Sequence, residues 1–330
     1  MARSWTPEQW TQFEDALRRD LLAADGNADA WKRTARAALR VMARYSTSFY
    51  IVTRFLPPHK RERVDVIYAS VRYPDEVVDT FAIPDEERLR RLDAWAEHYE
   101  IALGERDLRR AVAVGVPPIL AAFASVVREA GIPPEHYRAF LRAMRMDVMP
   151  RPFETIEDLI ESYIYGSAIV VGYFLTHVYG PAGPELMPEA LACARDLGIA
   201  LQITNFIRDV KEDRRRGRVY LPQDLLRSAG ADMDQIDDPA NRRRVIGVIR
   251  QAGAFAEDAY RRAGEKLNVF APDCRVAIKA CVDVYGKLNR QIIASDDCVT
   301  RRESISSWEK FMALPARKYW HLPLYAIGVK

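Results

Sequence analysis

Apolar residues along this chain recur at three- and four-residue intervals through long segments, and proline and glycine mark the joints between segments. That period turns one face of an α-helix toward a core. Breaks fall at Pro57-Pro58, Pro84, Gly115 to Pro118, Gly131 to Pro134, Pro150 to Pro152, Gly180 to Pro184, Pro222, Pro239 and Pro272, and the stretches between them have helical length. Thr6-Pro7-Glu8-Gln9 predicts a first helix with an N-cap threonine and a proline at its start. No alternating β-branched run bounded by hairpin turns occurs. The most apolar run, Ala168 to Leu175, is too short to span a bilayer and reads as a core or pocket-lining helix. Without a fixed-period repeat or a low-complexity linker, the expectation is one all-α domain over residues 1–330, its helices arranged around a central cavity.

Two predicted helices break the apolar pattern in the same way. Asp75 and Asp79 stand at i, i+4 in Asp75-Glu76-Val77-Val78-Asp79, and Asp209 and Asp213 repeat that spacing. Each pair puts its carboxylates on one helix face, a mildly destabilising arrangement for like charges. Around the second pair, Asn205, Asp209 and Asp213 run at i, i+4, i+8 behind Gln202, among Leu201, Ile203, Phe206, Ile207 and Val210. A lone DxxxD is usually a solvated surface, but a polar stripe within an apolar helix is costly unless something pairs with it. A shared hard cation is the natural partner. Mg²⁺ fits, bound by a carboxylate or two plus substrate phosphates, with Mn²⁺ the alternative.

Composition narrows the field. About half of the 330 residues (49%) are hydrophobic, enough for a large core, and the formal net charge is only +3. Basic runs at Arg214 to Arg218 and Arg242 to Arg244 sit among acids without any nucleic-acid module, so no nucleic-acid partner is expected. Those after the second acidic pair are placed to meet diphosphate. Cys193, Cys274, Cys281 and Cys298 lack CxxC spacing and read as buried, reduced thiols of a cytoplasmic chain. The scattered histidines make no HExxH zinc motif, and His177 reads as a satisfied core or helix-end residue. Met1 to Trp10 lacks a signal-peptide hydrophobic region. Peripheral membrane contact for product release is left open.

Over roughly Tyr45 to Arg302 the motifs resemble, in order, those of the squalene and phytoene synthases, the head-to-head prenyl transferases. They are Tyr45-Ser46-Thr47-Ser48-Phe49-Tyr50, Leu56 to Arg61, Tyr68-Ala69-Ser70-Val71-Arg72 leading into the first acidic pair, Tyr163-Ile164-Tyr165-Gly166-Ser167-Ala168, and Leu197 through Asp213 with Arg216-Gly217-Arg218-Val219-Tyr220-Leu221-Pro222. The resemblance implies a class I isoprenoid synthase bundle. It also implies Mg²⁺ ligation by Asp75, Asp79, Asp209 and Asp213, assisted by Asn205 and Gln202. Catalytic roles fall on Tyr68, Arg72 and Tyr163, and substrate contacts on Tyr45, Ser46, Ser48, Phe49, Gln202, Asn205 and Tyr285, with Arg302 a weaker match. Ser46 and Ser48 read equally well as helix N-caps. Pro74 departs from the pattern: it removes a helical hydrogen bond and is expected to kink the helix beside Asp75. Ile169 stands where small residues are common and either narrows the pocket or packs outward.

The reaction implied is condensation of two identical allylic prenyl diphosphates. It needs charge stabilisation of the leaving diphosphate and a dry apolar tunnel, whose candidate walls are Phe49, Tyr50, Tyr173 and Phe174. No dinucleotide fingerprint occurs, so NADPH is not expected. Together with small Thr53 and the Gly166-Ser167-Ala168 segment, this favours C20 substrate and a phytoene-type product. The alternatives are squalene, dehydrosqualene or presqualene diphosphate from the C15 substrate. A terpene cyclase would carry DDxxD, which is absent, and a non-catalytic relative would be expected to lose acidic ligands that all stand here.

Overall fold

The computed structural model describes residues 4–305, the side chains of Thr47 and Ser48 excepted. Among these residues the regular structure is helical, with one isolated antiparallel bridge between Pro181 and Phe270. In chain order the helices are α1 (Pro7–Leu22), α2 (Asn27–Tyr45), α3 (Thr47–Thr53), α4 (Pro58–Asp79), α5 (Asp85–Gly104), α6 (Leu108–Ala113), α7 (Pro118–Glu129) and α8 (Pro134–Val148). The next helix is continuous over Ile156–Tyr179: α9 (Ile156–Leu159), a π-helical stretch (Ile160–Ile169) and α10 (Val170–Tyr179). It is followed by α11 (Met187–Arg215), α12 (Gln223–Ala229), α13 (Pro239–Glu265) and α14 (Arg275–Ala294).

The sequence breaks become helix boundaries for identifiable reasons. Thr6 caps α1 in a reciprocal box with Gln9. Pro58, Pro118 and Pro134 each open a helix, where a missing N–H costs nothing. Gly115 and Gly131 precede two of these starts with φ of 104° and 63°, the left-handed region a side chain would resist.

Helix α4 packs on α2, α7 and α8, while α11 packs on α13, α10 and the π-helical stretch. Glycine allows the closest approaches. A Cβ at Gly166 would lie 2.5 Å from the Ala139 carbonyl oxygen of α8, and one at Gly198 would lie 3.1 Å from Ile169 Cα. Ile169 is therefore fully buried against α11 and does not line the cavity.

One sequence reading needs correction. The Ala168 to Leu175 run belongs to a 24-residue helix that is long and apolar enough to cross a membrane. It is nonetheless an interior helix. Val170, Phe174 and Val178 are buried in the core, and Ala168, Val171, Gly172 and Leu175 line an internal cavity.

Candidate active site

Helices α3, α4, α8, α11, α14 and the Ile156–Tyr179 helix surround a cavity of about 640 Å³. Its apolar walls include Val52, Ile67, Val171, Leu175, Ile278 and Val284. Its polar part carries Asp75, Asp79, Asp209 and Asp213 together with Arg72, Arg208, Arg216, Arg218 and Arg302. Both acidic pairs thus address one space, although they are 130 residues apart in sequence, Asp79 to Asp209.

The local structure explains each face. On α11, Gln202, Asn205, Asp209 and Asp213 face the cavity, while Ile203, Ile207 and Val210 are buried on the other side. There Thr204 also meets the Tyr260 hydroxyl at 2.9 Å, tying α11 to α13. On α4, Pro74 sits inside an unbroken helix. Its missing N–H frees the Ser70 carbonyl four residues back, and the fully buried Tyr137 phenol donates to that oxygen at 2.8 Å. Trp95 Nε1 donates to the same phenol at 2.9 Å. The proline is therefore compensated by tertiary contacts, and both Asp75 and Asp79 reach the cavity.

Arginines hold most of the carboxylates. Arg72 pairs with Asp75 at 2.7 Å and with the buried Glu76, and its guanidinium lies 4.5 Å from the Tyr45 ring. Arg218 donates to Asp79 at 2.5 Å and to the Val78 carbonyl at 3.2 Å, and Arg216 approaches Asp79 at 3.4 Å. Asp209 is bracketed by Arg208 at 2.5 Å and Arg302 at 2.6 Å. Asp213 has no arginine within ion-pair distance among the described residues.

The acidities follow from this geometry. Burial raises Asp75, against the pull of Arg72. Burial also pushes Asp213 up to about 7, reinforced by the Asp209 charge. For Asp209, burial works upward, but the hydrogen bonds from Arg208 and Arg302 leave it below the ordinary carboxylate value. Burial opposes the charge on Arg72, and Asp75 and Glu76 more than reverse it.

The other expected residues divide. Tyr68, Phe49, Tyr163, Thr53 and Tyr285 line the cavity, and burial raises the Tyr68 phenol. Tyr45 is not among the lining residues; it accepts from Trp5 N at 2.9 Å and reaches the site only through Arg72. Ser46 caps α3, accepting from Phe49 N at 3.2 Å. The Ser48 side chain lies outside the described residues. Of the candidate aromatic walls only Phe49 lines the cavity. Phe174 packs against Phe123, Tyr173 against His136, and Tyr50 under Arg54. Their place on helix faces turned away from the cavity is a matter of packing that periodicity could not assign. His177 meets the Ala130 carbonyl at 3.3 Å, as a helix-end histidine would.

A model of the squalene/phytoene synthase family matches residues 42–309. The chain belongs to the squalene/phytoene synthase family. Similar proteins include a chloroplastic phytoene synthase 3 from Zea mays, 31% identical over 83% of this chain and 63% of the maize protein. A phytoene synthase from Arthrospira platensis is 30% identical over 84% of this chain and 89% of its own length. The fold is that of a dehydrosqualene synthase crystal structure, with a TM-score of 0.72 at 22% identity, covering 89% of this chain and 98% of that one.

As a synthase of this family, the chain brings to the cavity further residues to which sequence reading assigned no individual role, among them Asp147, Arg208, Tyr220, Arg216 and Arg218, although the last two belong to the basic run expected to meet diphosphate. The last three lie in the tail of the second acidic motif, so a signal existed. Asp147 stands in Arg145-Met146-Asp147, a segment that resembles one of the family's without showing a role, and the fold brings it to the cavity.

Proposed function

We propose that this synthase, acting as a single all-helical domain, condenses two C20 prenyl diphosphates head-to-head to a phytoene-type C40 hydrocarbon. The observation that carries this reading is the convergence of both acidic pairs on one apolar-walled cavity. The phytoene synthases aligned over most of this chain support the C40 product. Thr53 supports it as well, a small cavity-lining residue whose hydroxyl is turned onto the Tyr50 carbonyl at 3.0 Å.

The donor set fits Mg²⁺. It consists of carboxylate and carboxamide oxygens, and Asp213 is raised by burial and then by the Asp209 charge, which a cation would relieve. Among the described residues no three acidic or thiol or imidazole side chains converge enough to cage an ion. That is how Mg²⁺ sites completed by substrate phosphates are built. Asp75, Asp79, Asp209 and Asp213, with Asn205 and Gln202, would hold the metal, which supplies charge stabilisation to the leaving diphosphate.

The chain's own residues do the rest. Arg72, and the arginines beside Asp79 and Asp209, bind diphosphate oxygens and favour departure of the first diphosphate as its C–O bond breaks. The allylic cation is captured by the double bond of the second substrate. Loss of one proton then closes a cyclopropylcarbinyl diphosphate. Its C–O bond breaks in turn, the carbon skeleton rearranges, and loss of a second proton gives the hydrocarbon. Tyr68 and Tyr163 line this path, and the apolar walls exclude water that would trap a cation. The last step is proton loss rather than hydride transfer, so NADPH is not required. Work in the cytoplasm, with product leaving into a membrane surface, fits an apolar product.

The test is incubation with Mg²⁺ and C15 or C20 diphosphate, with and without NADPH, and identification of the hydrocarbons. C40 hydrocarbon from the C20 substrate without NADPH is expected. Preference for C15, or product only with NADPH, would replace the C40 assignment by the squalene-type one.

A further inference from the structure

Asp147 closes the last turn of α8 with both carboxylate oxygens occupied. Its Oδ2 accepts from the Tyr163 phenol at 2.6 Å and its Oδ1 from the Tyr220 phenol at 2.7 Å, while the two phenol oxygens stand 3.3 Å apart. The Asp147 backbone carbonyl accepts from Arg218 Nε at 3.2 Å, and another nitrogen of that guanidinium holds Asp79. A single buried aspartate therefore connects two cavity-lining tyrosines, through its carboxylate, to the arginine that holds Asp79, through its backbone carbonyl.

Counting protons decides what the tyrosines can do. An ionised carboxylate only accepts, and each phenol has one proton to give. With both phenols on one carboxylate, both protons point at Asp147. Neither tyrosine has a proton left for the other or for the cavity, so whatever part of the Tyr163 oxygen meets the cavity is lone pair. That oxygen presents the negative end of a dipole to a nearby cation. Donating to a departing diphosphate would first require breaking a buried charge-assisted hydrogen bond.

We infer that Asp147 is a positioning residue that fixes the proton of Tyr163, making this phenol a lone-pair face toward the carbocation rather than a hydrogen-bond donor to diphosphate. The inference rests on the head-to-head condensation proposed above. Burial raises Asp147, while the Arg218 charge and the two phenol donors pull it back toward the carboxylate form. The same reasoning puts Tyr163 on the cation side of the reaction, where it acts after the first C–O bond has broken.

Asp147→Asn tests this directly. A carboxamide offers one accepting oxygen and one donating nitrogen, so one phenol must turn its proton elsewhere. With C20 diphosphate and Mg²⁺, the ratio of hydrocarbon to cyclopropylcarbinyl diphosphate should fall about tenfold, the scale of one mispaired buried hydrogen bond, while KM stays within about twofold. In a Tyr163→Phe background the same substitution should add nothing to that ratio, because its effect runs through the phenol. An unchanged ratio, or an equal fall in the Phe background, overturns the inference. The wild-type protein gives a second reading that does not depend on folding of the variant. The infrared difference between wild type and Tyr163→Phe, with ring-labelled tyrosine, should show a phenol donating to carboxylate and unmoved by Mg²⁺ with inorganic pyrophosphate. A band that moves to a new acceptor on adding pyrophosphate overturns it. If wild type forms neither intermediate nor hydrocarbon, the condensation falls and the cation-side role with it, and the infrared band still decides whether Asp147 holds the phenol proton.

Discussion

On α4 the acidic pair stands on a helix that runs on through a proline and is held by arginines, whereas on α11 it stands on a 29-residue helix without an interior proline near the pair and only Asp209 is held. Asp79 meets an arginine that is itself anchored: the Arg218 side chain is 7% exposed and also bonds two backbone carbonyls. Asp213 has no ion-pair partner among the described residues; burial and then Asp209 raise it, and Arg216 and Arg218 only partly offset them. Asp79 is therefore fixed by protein contacts alone, whereas Asp213 is left in a state that an added cation improves. Identical spacing in sequence conceals this asymmetry, because the spacing fixes which helix face the carboxylates share and says nothing about what stands opposite.

The largest effect should come from removing a carboxylate on either side. Asp79→Ala and Asp209→Ala are each expected to lower kcat by at least about a hundredfold, the scale of losing one transition-state charge stabiliser, with unchanged helical circular dichroism. Near wild-type turnover by either variant would mean that one helix suffices. Next comes stability of the metal-free protein, where the two helices should differ. Asp79→Asn strips the buried Arg218 of its counter-charge and should destabilise by about 2–3 kcal/mol in urea titrations. Asp213→Asn loses no ion pair and removes a repulsion, so it should leave stability equal or higher. Matching losses in both would erase the asymmetry.

Smaller again is the repair of Pro74. Tyr137→Phe leaves the Ser70 carbonyl without its donor and should cost about 1–2 kcal/mol, with weaker Mg²⁺-dependent activity arising from a displaced Asp75. Retained stability would show that water replaces the phenol.

The smallest effect lies outside the cavity, at another carboxylate without a partner. Both oxygens of Glu14 on α1 are buried without a well-formed hydrogen bond, and burial, only partly offset by Arg18 and Trp10, pushes its carboxyl from 4.5 up to about 8. A folded-state value above the unfolded one means that stability is full below pH 4.5 and declines as pH rises toward about 8. Glu14→Gln should accordingly be more stable than wild type by about 1 kcal/mol at pH 8, with the gap closing near pH 4.5. A gap independent of pH would place the Glu14 charge in contact with water or a cation.

What the sequence determined by itself was local. The proline and glycine joints became helix ends at Pro58, Pro118 and Pro134 because a missing N–H or a left-handed φ acts on the residue that carries it. The stripe Asn205, Asp209, Asp213 was legible for the same reason: helical period alone puts those residues on one face, and an apolar helix leaves that stripe in need of a partner. Tertiary structure decided everything that required a second segment. Only packing shows that Tyr137, 67 residues from Ser70, repairs the proline, and that Ile169 turns to α11 while Phe49 turns to the cavity. Asp147 is the clearest case. Its segment, Arg145-Met146-Asp147, resembles one of the family's but carries no legible role, since its meaning comes from two phenols 16 and 73 residues away. Such long-range contacts are chosen by the fit of whole helix faces, and no local pattern of residues encodes which faces will meet.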